Sequence, residues 1–590
     1  MKKNSQNRKA LLNRMTAIVT LAMAVMFGFT LIGSHFTAIA EGTGIAETLS
    51  GNSWDISSLY KDKDVDSTWN ENKVTVVELS EKGTDFDSDA VSLSGSTLTI
   101  SKKGDYLLSG TWTGQIVVDE PEDGRVRLIL NGVTLISEEG PAIYSMSDGK
   151  LVLTLADGTV NTVSDKKEST VIDEEGKEDT LAAVIWAEND ITINGSGSLI
   201  VNANAKHGIQ CKSDLIIAGG SVTITSAGDG IRGRNSVLIL DGDITVNAQG
   251  DGISSTRSNK EDKGYVIIAG GTVTVTTADG AGESQSEAGV NRFGTGHNGW
   301  GDWGTAQADG TVSTKGIKAV TDLVILGGTL NLDCADDGLH ANNVTVNGGN
   351  LTIASGDDGI HADDTLTIAG GTVNITQSYE GLEACWILIT GGDTDVMASD
   401  DGLNATEGKT TGNNFNEFAE QNAGVTVSGG TLNVNSGGDG LDSNGAILIA
   451  GGVVTVSGPT SNYDAAVDFN GTCRVTGGTL VAVGSSGMLE NLNSVANQAA
   501  LVMKVGSFSA GSVVELYDSE DNLLLSFKPA KTYSSIIITT PDMQVDKAYT
   551  VKAGGSTAFS GTLSSPITTS GNVTNFNNPS GGSGGGPGGR

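Results

Sequence analysis

Positive charge and cysteine are both scarce in this chain. Its 590 residues carry 35 lysines and arginines against 70 aspartates and glutamates, and the formal net charge is −35. Such a charge argues against binding to nucleic acid or anionic membranes, and it favours cations or ligands that cations bridge. The four cysteines occupy different positions of the repeat described below, so the sequence predicts no disulfide framework and favours small buried apolar roles for Cys211, Cys334, Cys385 and Cys473.

A long apolar run occurs at the N-terminus. Residues 17–33 follow five basic residues and precede Ala38, Ile39 and Ala40. This order is typical of a signal peptide that is cleaved after Ala40. We therefore predict that residues 1–40 are removed, and that the mature protein is secreted or extracellular, including at the cell surface, without inserting into a membrane. Residues 41–73 are polar and acidic, and we predict a loose leader there.

Glycine, by contrast, is abundant, with 83 residues, and much of it belongs to a repeat. A phrase of one or two acids, glycine, Leu or Ile, a polar residue and alanine occurs at 336–341, 357–362, 379–384 and 400–405. Its glycines are 21, 22 and 21 residues apart, and a Gly-Gly pair lies midway through each unit. A period near 22 indicates a solenoid, and we expect the glycines at its corners.

Short segments between these phrases alternate apolar and polar residues and are rich in Val, Ile and Thr, as at 366–368 and 373–376. Such alternation indicates half-buried strands. Three of them in about 22 residues fit one coil of a parallel β-helix, in which each coil lies about 4.8 Å above the last. We therefore predict an all-β fold: a parallel β-helix solenoid with about 22 residues per coil and a small antiparallel β region at the C-terminus.

The extent of the repeat sets the domain organisation. Residues 74–495 are predicted to form the β-helix, with insertions at 279–314 and 406–422 where the repeat stops. Residues 496–565 lose the period, so we predict a small β end domain that caps the last coil. Residues 566–590 are rich in Gly, Pro and Ser, and we predict a disordered tail. We expect the protein to be a monomer.

One position before the repeat glycine, seven of nine units carry an acid. We call these residues the acidic column: Asp229, Asp251, Asp337, Asp358, Glu380, Asp401 and Asp439. One interpretation is turn chemistry, because Asp-Gly is a common corner and Asp caps its own backbone. At Glu380, however, the turn-forming side chain is lost while the charge remains.

The second interpretation of the acidic column is a calcium site. Carboxylates stacked about 5 Å apart repel by roughly 3 kcal/mol per neighbour at an effective dielectric near 20. Ca²⁺ removes that cost, and its about six to eight oxygen ligands suit paired acids on adjacent coils. The predicted calcium ligands are the acidic column and its neighbouring acids Asp336, Asp357, Asp400 and Asp442.

Two positions after the glycine, a column of polar residues shares one outer face beside the acids. It includes Arg232, Lys318, His340, His361 and Glu383. Such a face is ordinarily solvated, but its mixture of charges also suits an acidic or neutral sugar chain. His340 and His361 lie one coil apart and could together bind a transition metal, although no third nitrogen or sulfur ligand is in register.

The insertion at 279–314 contains Trp300 and Trp303 in a chain that is only 5% aromatic. Either these rings pack on the flank of the solenoid or they form a platform on which sugars stack, and the sequence leaves both open. The candidate carbohydrate-binding residues are therefore Trp300, Trp303, Lys318, His340, His361 and Glu383.

With these features the chain resembles a family of exported bacterial carbohydrate-binding proteins. The resemblance rests on residues 313–319, on the repeated Asp-Asp-Gly phrases and on residues 438–445, and it covers roughly residues 90–560. It implies a right-handed parallel β-helix like that of polysaccharide lyases, with Ca²⁺ along the acidic column. It also implies a non-catalytic role in binding polysaccharide: cellulose, pectin or another acidic glycan.

Two alternatives stay open. Related β-helix lyases cleave pectate by β-elimination with Ca²⁺ and a basic side chain, and the positions implied here are Lys315, Lys318 and Arg232. A lysine base needs a lowered pKa, whereas nearby carboxylates raise the pKa of a lysine. The other alternative is a structural surface protein or adhesin.

Overall fold

The computed structural model describes residues 55–81, 84–122, 124–172, 178–260, 262–282, 312–407 and 420–573. The predicted signal peptide, Trp300 and Trp303 lie outside the described residues, as do most of both insertions and of the predicted tail. Within the described ranges, no helix is long and apolar enough to cross a bilayer.

Most of the described chain forms one long, predominantly parallel sheet of 44 strands. In the parallel part of this sheet, consecutive strands do not pair with each other. Each pairs instead with a later strand, so that Ile209 lies beside Ile231 and Ile231 beside Ile253. This pattern produces three parallel ladders, consistent with a solenoid. The prediction of an all-β protein built on a long parallel sheet is therefore confirmed.

The first ladder contains the repeat phrases. Its strands are Thr97–Ile100, Gln115–Val118, Ile143–Ser145, Ala183–Ala187, His207–Cys211, Ile231–Gly233, Ile253–Ser255, Ile317–Lys318, Leu339–Val346, Ile360–Ile368, Leu382–Ile389, Leu403–Ala405, Leu441–Ser443 and Val467–Phe469.

The second ladder follows each phrase along the chain, and it shares the three long strands that begin at Leu339, Ile360 and Leu382. Its other strands are Thr75–Leu79, Gly104–Thr113, Val126–Ile136, Leu151–Leu155, Ile191–Gly195, Asp214–Ile217, Ser236–Ile239, Tyr265–Ile268, Asp322–Ile325, Gly424–Val427, Ala446–Ile449, Cys473–Val475 and Ser494–Val495.

The third ladder begins at the C-terminal part of Gly104–Thr113, which pairs with the C-terminal half of Val126–Ile136. It continues through Val160–Ser164, Ser198–Ala203, Ser221–Ser226, Asp243–Ala248, Thr272–Thr277, Thr329–Cys334, Asn350–Ser355, Thr372–Gln377, Asp393–Ala398, Thr431–Ser436, Val453–Ser457 and Thr479–Gly484.

Smaller elements complete the fold. Asp85–Phe86 and Val91–Ser94 pair antiparallel with the first strands, and Ser169–Ile172 forms a hairpin with Glu178–Leu181. A 3₁₀ turn, Ile56–Ser58, and a short helix, Asp62–Val65, lie within the segment predicted to be a loose leader. There the buried Asp64 accepts hydrogen bonds from Lys150 and Thr192, so this segment packs on the second ladder.

The C-terminal region is antiparallel, as predicted. Tyr533–Thr540 pairs antiparallel with the last third-ladder strand and with Ala499–Phe508. A four-stranded antiparallel sheet is formed by Val514–Tyr517, Leu523–Phe527, Ala548–Ala553 and Ser556–Thr562. One prediction was wrong in part: Ile567–Ser570, placed in the disordered tail, is a strand that pairs parallel with Ala499–Phe508.

The core lies between the ladders and follows the alternation of the repeat. The Ile or Leu after each repeat glycine is fully buried, as at Ile231, Leu339 and Leu403, and the small residue two places further on is buried as well. Cys211, Cys334 and Cys473 are buried as predicted, whereas Cys385 is only half-buried because it follows the inward-facing Ala384 on its strand.

The repeat glycine is required for a different reason from the one predicted. A Cβ on Gly359 would lie 2.6 Å from the carbonyl oxygen of Gly381 in the next coil, and a Cβ on Gly338 would lie 2.6 Å from that of Gly359. Close backbone approach between coils therefore excludes a side chain here. The corner role holds for the second glycine of each Gly-Gly pair, such as Gly349, with a φ of +88°.

Candidate functional site: the acidic column

The acids of the acidic column lie at the corner that leads into the first ladder. Several of them join their own coil to the next one through a hydrogen bond. Their Oδ1 atoms accept a hydrogen bond from the backbone N–H at the equivalent position of the next coil. The donor is Asp251 for Asp229 (3.1 Å), Lys315 for Asp251 (3.0 Å), Asp358 for Asp337 (3.3 Å), Asp439 for Asp401 (2.6 Å) and Ala465 for Asp439. The turn-chemistry interpretation was right that these acids cap backbone, but the capped group belongs to the next coil.

The second carboxylate oxygen is what distinguishes one part of the column from another. From Asp229 to Asp358, which we call the N-terminal half, Oδ2 faces a basic side chain of the same protein. These contacts are Asp229 with Arg232 (3.5 Å), Asp251 with Lys318 (3.8 Å), Asp337 with Lys315 (2.5 Å) and Asp358 with His361 (2.8 Å).

Lys315 has the closest of these contacts. Its Nζ also lies 2.9 Å from Oδ1 of Asp336. Burial alone would raise the pKa of Asp337, but the ammonium group of Lys315 holds this pKa well below its ordinary value. Burial alone would lower the pKa of Lys315, but Asp337 and Asp336 together raise it. Lys315 is therefore held in its charged form, which is unsuitable for a general base.

The side chains of the polar column are in direct contact with the acids, unlike those of an ordinary solvated face. His340 Nδ1 is 2.8 Å from Asp337, and its ring centroid is 4.8 Å from that of His361. Nδ1 of His361 lies 2.9 Å from Oε2 of Glu383, which is only 6% exposed. These three candidate carbohydrate-binding residues are thus held within the acidic network. Lys318, the fourth that the structure describes, contacts Ser313 Oγ at 3.1 Å.

Burial, and then Glu383, already raise the pKa of Asp358 well above its ordinary value. From Glu380 onward, which we call the C-terminal half, acids are likewise the charged neighbours. The charged neighbours that act on Asp401, Asp439 and Asp442 are other acids. Burial, and then the nearby carboxylates, raise the pKa of each of these three groups well above its ordinary value. The pKa of Glu380 is raised for the same reasons, burial first and then Glu383 and Asp401.

Asp468 is a member of this group that the sequence analysis missed. It pairs with Asp442 in the first ladder, at the next position of the polar column. The repeat phrase has lost its glycine there, since Ala466 replaces it, so the pattern that identified the other units does not extend to this one. Register counted from the core residues Leu441 and Val467 would have found it.

Several predicted metal ligands converge and others do not. Single oxygens of Asp439, Asp442 and Asp468 lie within 4.8 Å of one another, and so do those of Asp336, Asp337 and Asp357. Asp400 and Asp401 flank the first of these groups, and Glu380 accepts a hydrogen bond from Asn404 at 3.0 Å. Asp229 and Asp251 face Arg232 and Lys318 instead.

The donor set in the C-terminal half fits a hard cation. All three ligand atoms of the Asp439, Asp442 and Asp468 group are carboxylate oxygens, which Ca²⁺ prefers. Asn404, one step before Asp442 in the same ladder, has a buried Oδ1 that accepts no hydrogen bond from the described chain. A buried amide oxygen without a donor is a further ligand that a cation would satisfy.

Comparison with known proteins places this architecture in a family. The family described as carbohydrate-binding domain-containing protein matches residues 94–359 and 357–570. The chain belongs to that family. A carbohydrate-binding domain-containing protein of Acetivibrio thermocellus is 43% identical over 204 residues, which is 34% of this chain and 71% of the relative.

One solved structure is similar in sequence to part of this chain. It is the gadolinium derivative of a polysaccharide lyase-like protein from C. thermocellum, with 28% identity over 47% of this chain and 92% of the other. The TM-score is 0.36, which is too low for the two folds to be compared.

Proposed function

We propose that this protein binds polysaccharide, without cleaving it, through Ca²⁺ held between the C-terminal half of the acidic column and the adjacent polar column. The observation that carries the proposal is the convergence of Asp439, Asp442 and Asp468 with acids as their charged neighbours. The proposal includes a right-handed β-helix of about 22 residues per coil, and a secreted or cell-surface location.

The electrostatic step is the first part of the argument. Two carboxylates about 5 Å apart repel by roughly 3 kcal/mol at an effective dielectric of 20. In the N-terminal half, Arg232, Lys318 and Lys315 offset this repulsion at the acids of the column that precede Asp358. In the C-terminal half, the acids must either take up protons or bind a cation. At neutral pH in a calcium-containing medium, cation binding is the expected outcome.

The ligands come from adjacent coils of the first ladder. Asp439 and Asp442 belong to one coil and Asp468 to the next, and the Asn404 amide oxygen belongs to the coil before. This is fewer than the about six to eight oxygens that Ca²⁺ takes. Water and sugar oxygens would complete the coordination, which gives an acidic or hydroxyl-rich glycan a direct means of attachment. When bound, the ion supplies positive charge on an otherwise negative face.

The family supports the carbohydrate part of the proposal, since a chain that belongs to a carbohydrate-binding domain-containing family is expected to bind carbohydrate. The net charge of the protein indicates which class of glycan should need Ca²⁺ for binding. A net charge of −35 disfavours an acidic glycan unless cations bridge it, so we expect pectin-like chains to be retained only with Ca²⁺. A neutral chain such as cellulose would depend on Ca²⁺ less.

The lyase alternative has less support. Lys315, one of its three basic positions, is raised in pKa by Asp337 and Asp336, and Lys318 and Arg232 each face an acid of the column. Proton abstraction by a lysine needs the opposite environment. No specific observation favours an adhesin. That alternative would be supported if the protein bound none of the glycans tested.

Retention on insoluble polygalacturonate and cellulose, with Ca²⁺ or with EDTA, tests the proposal. We expect Asp442→Asn and Asp468→Asn to lose calcium-dependent retention on polygalacturonate. Asp393→Asn, which changes an exposed acid on the third ladder, is the control and should bind as the unaltered protein does. Retention that EDTA leaves unchanged would refute the calcium part, and the release of unsaturated products would refute the non-catalytic part.

A further inference from the structure

A second cluster in the same column has a different chemistry from the calcium site proposed above. Nδ1 of His361 lies 2.8 Å from Oδ2 of Asp358 and 2.9 Å from Oε2 of Glu383. Single ligand atoms of Asp358, His361 and Glu383 lie within 4.8 Å of one another. Asp358 is 5% exposed and Glu383 is 6% exposed, so water contributes little to solvating this group.

The single hydrogen that Nδ1 of His361 can carry does not satisfy both carboxylates. An imidazole nitrogen carries at most one hydrogen, which it donates well to only one acceptor. Two buried carboxylates that meet at one nitrogen therefore leave one oxygen facing another without a donor, unless a proton or a cation lies between them. The third ligand that the sequence did not offer His361 is thus supplied by carboxylate oxygen.

The register explains how the cluster is assembled. His361 and Glu383 occupy the same position of adjacent coils, and Asp358 lies three residues before His361. Parallel pairing therefore places one ligand above the other, and the Asp-Gly corner brings the third to the same point. His340 and Asp337 repeat part of the pattern one coil earlier, with His340 Nδ1 2.8 Å from Asp337.

The separations are those of ordinary hydrogen bonds, and they also match the spacing of neighbouring ligands around a transition-metal ion. Bonds of about 2.0–2.1 Å from a metal to nitrogen and oxygen place neighbouring ligands of an octahedral site about 2.9 Å apart. The observed separations are 2.8 and 2.9 Å. Imidazole suits Zn²⁺, Cu²⁺, Ni²⁺ and iron, whereas Ca²⁺ selects oxygen.

We propose that Asp358, His361 and Glu383 form a binding site for a divalent transition-metal ion, separate from the calcium site around Asp442. His340 and Asp337 lie beside this site and support the His361 ring, whose centroid is 4.8 Å from that of His340. The site is built into the first ladder, so a bound ion joins two neighbouring coils.

The test uses the full mature chain without a polyhistidine tag, stripped with chelator and titrated with Co²⁺. Visible ligand-field absorption and calorimetry are measured together. We expect one Co²⁺ to bind, binding to be lost in His361→Ala, and affinity to fall more than about 10-fold in the isosteric variant Glu383→Gln. His207→Ala is the matched control, because it removes another buried histidine of the same stack and should leave Co²⁺ binding unchanged.

Further measurements separate this site from the proposed calcium site. Asp442→Asn should still bind Co²⁺, and a large excess of Ca²⁺ should not displace it. Thermal unfolding without metal establishes that Glu383→Gln is folded. Absence of a Co²⁺ spectrum in the unaltered protein would overturn the proposal in favour of a shared proton. Retention of the spectrum in His361→Ala, or its loss on adding Ca²⁺, would overturn it as well.

Discussion

Nζ of Lys315 lies 2.5 Å from Oδ2 of Asp337, a residue that is only 2% exposed. The contact joins two coils, because Lys315 occupies the position of the acid one unit before Asp337. At this position of the column a lysine replaces the acid, so the protein itself provides a positive charge there. Beyond Glu380, the charged neighbours of Asp401 and Asp439 in the acidic column are acids, and so are those of Asp442 in the polar column.

Replacement of Lys315 by methionine is expected to destabilise the protein by about 3–5 kcal/mol, because it removes the ammonium group closest to the buried Asp337 carboxylate, which His340 also contacts. Urea unfolding at pH 7 measures the loss. The matched control is Lys166→Met, which breaks an exposed pair with Glu138 and should cost no more than about 1 kcal/mol. Adding Asp337→Asn to the Lys315 variant should restore part of the stability. Equal effects of the two lysine variants would contradict this account.

Asp442→Asn is expected to have opposite effects with and without calcium. Without Ca²⁺ it should stabilise the protein by about 1–3 kcal/mol, since it removes one carboxylate from a group of mutually repelling carboxylates. With Ca²⁺ it should remove the stabilisation that the ion provides to the unaltered protein. Thermal unfolding with EDTA and with Ca²⁺ measures both. Destabilisation in EDTA would mean that this carboxylate is already compensated.

The stability of the calcium-free protein should rise as pH falls from about 7.5 to 5. Burial and neighbouring acids raise the pKa of Asp401, Asp439 and Asp442 above the unfolded value. Their contribution to the stability of the folded protein is therefore complete below the pKa that they have in the unfolded chain. It is lost as pH rises through the pKa that they have in the folded protein. Asp337, with a lowered pKa, loses its contribution only in more acidic solution, so it does not oppose this trend.

The contribution of His207 to the free energy of unfolding changes with pH in the opposite direction, so it must be distinguished from that of the acids. Burial and then Arg232 lower its pKa to about 3, and its Nδ1 accepts the backbone N–H of Asp229 at 2.9 Å. Its contribution is present above the unfolded pKa and is lost as pH falls toward 3. The difference in unfolding free energy between the unaltered protein and Asp442→Asn cancels this term. That difference should shrink at pH 5, and a constant difference would contradict the prediction.

The sequence was informative wherever position along the repeat decides position in space. The burial of Ile231, Leu339 and Leu403 followed from alternation, and the stacking of His340 on His361 followed from the period. What the period could not supply is the direction of each carboxylate oxygen. Oδ1 of Asp337 caps the next coil while Oδ2 meets Lys315, and that division depends on side-chain rotation at a corner where glycine interrupts the alternation.

The repeat glycine offers a test of the coil stacking itself. Gly359→Ala would place a Cβ 2.6 Å from the carbonyl oxygen of Gly381 and 2.6 Å from Cδ1 of Ile375. The side chain of Ile375 can rotate, but the carbonyl belongs to the ladder that joins the two coils. We therefore expect a loss of about 2–3 kcal/mol, measured by urea unfolding, as for an overpacked core.

Gly506→Ala is the control for this prediction, because a Cβ there meets no atom within 4 Å. Its effect should stay within about 0.5 kcal/mol. If stacking distance is the cause, Gly359→Ala should also weaken Co²⁺ binding, since the proposed Co²⁺ site draws its ligands from the two coils that meet at Gly359, whereas Gly506→Ala should not. A neutral Gly359→Ala would mean that the coils can separate at this corner, and the acids would then have room to avoid one another without a cation.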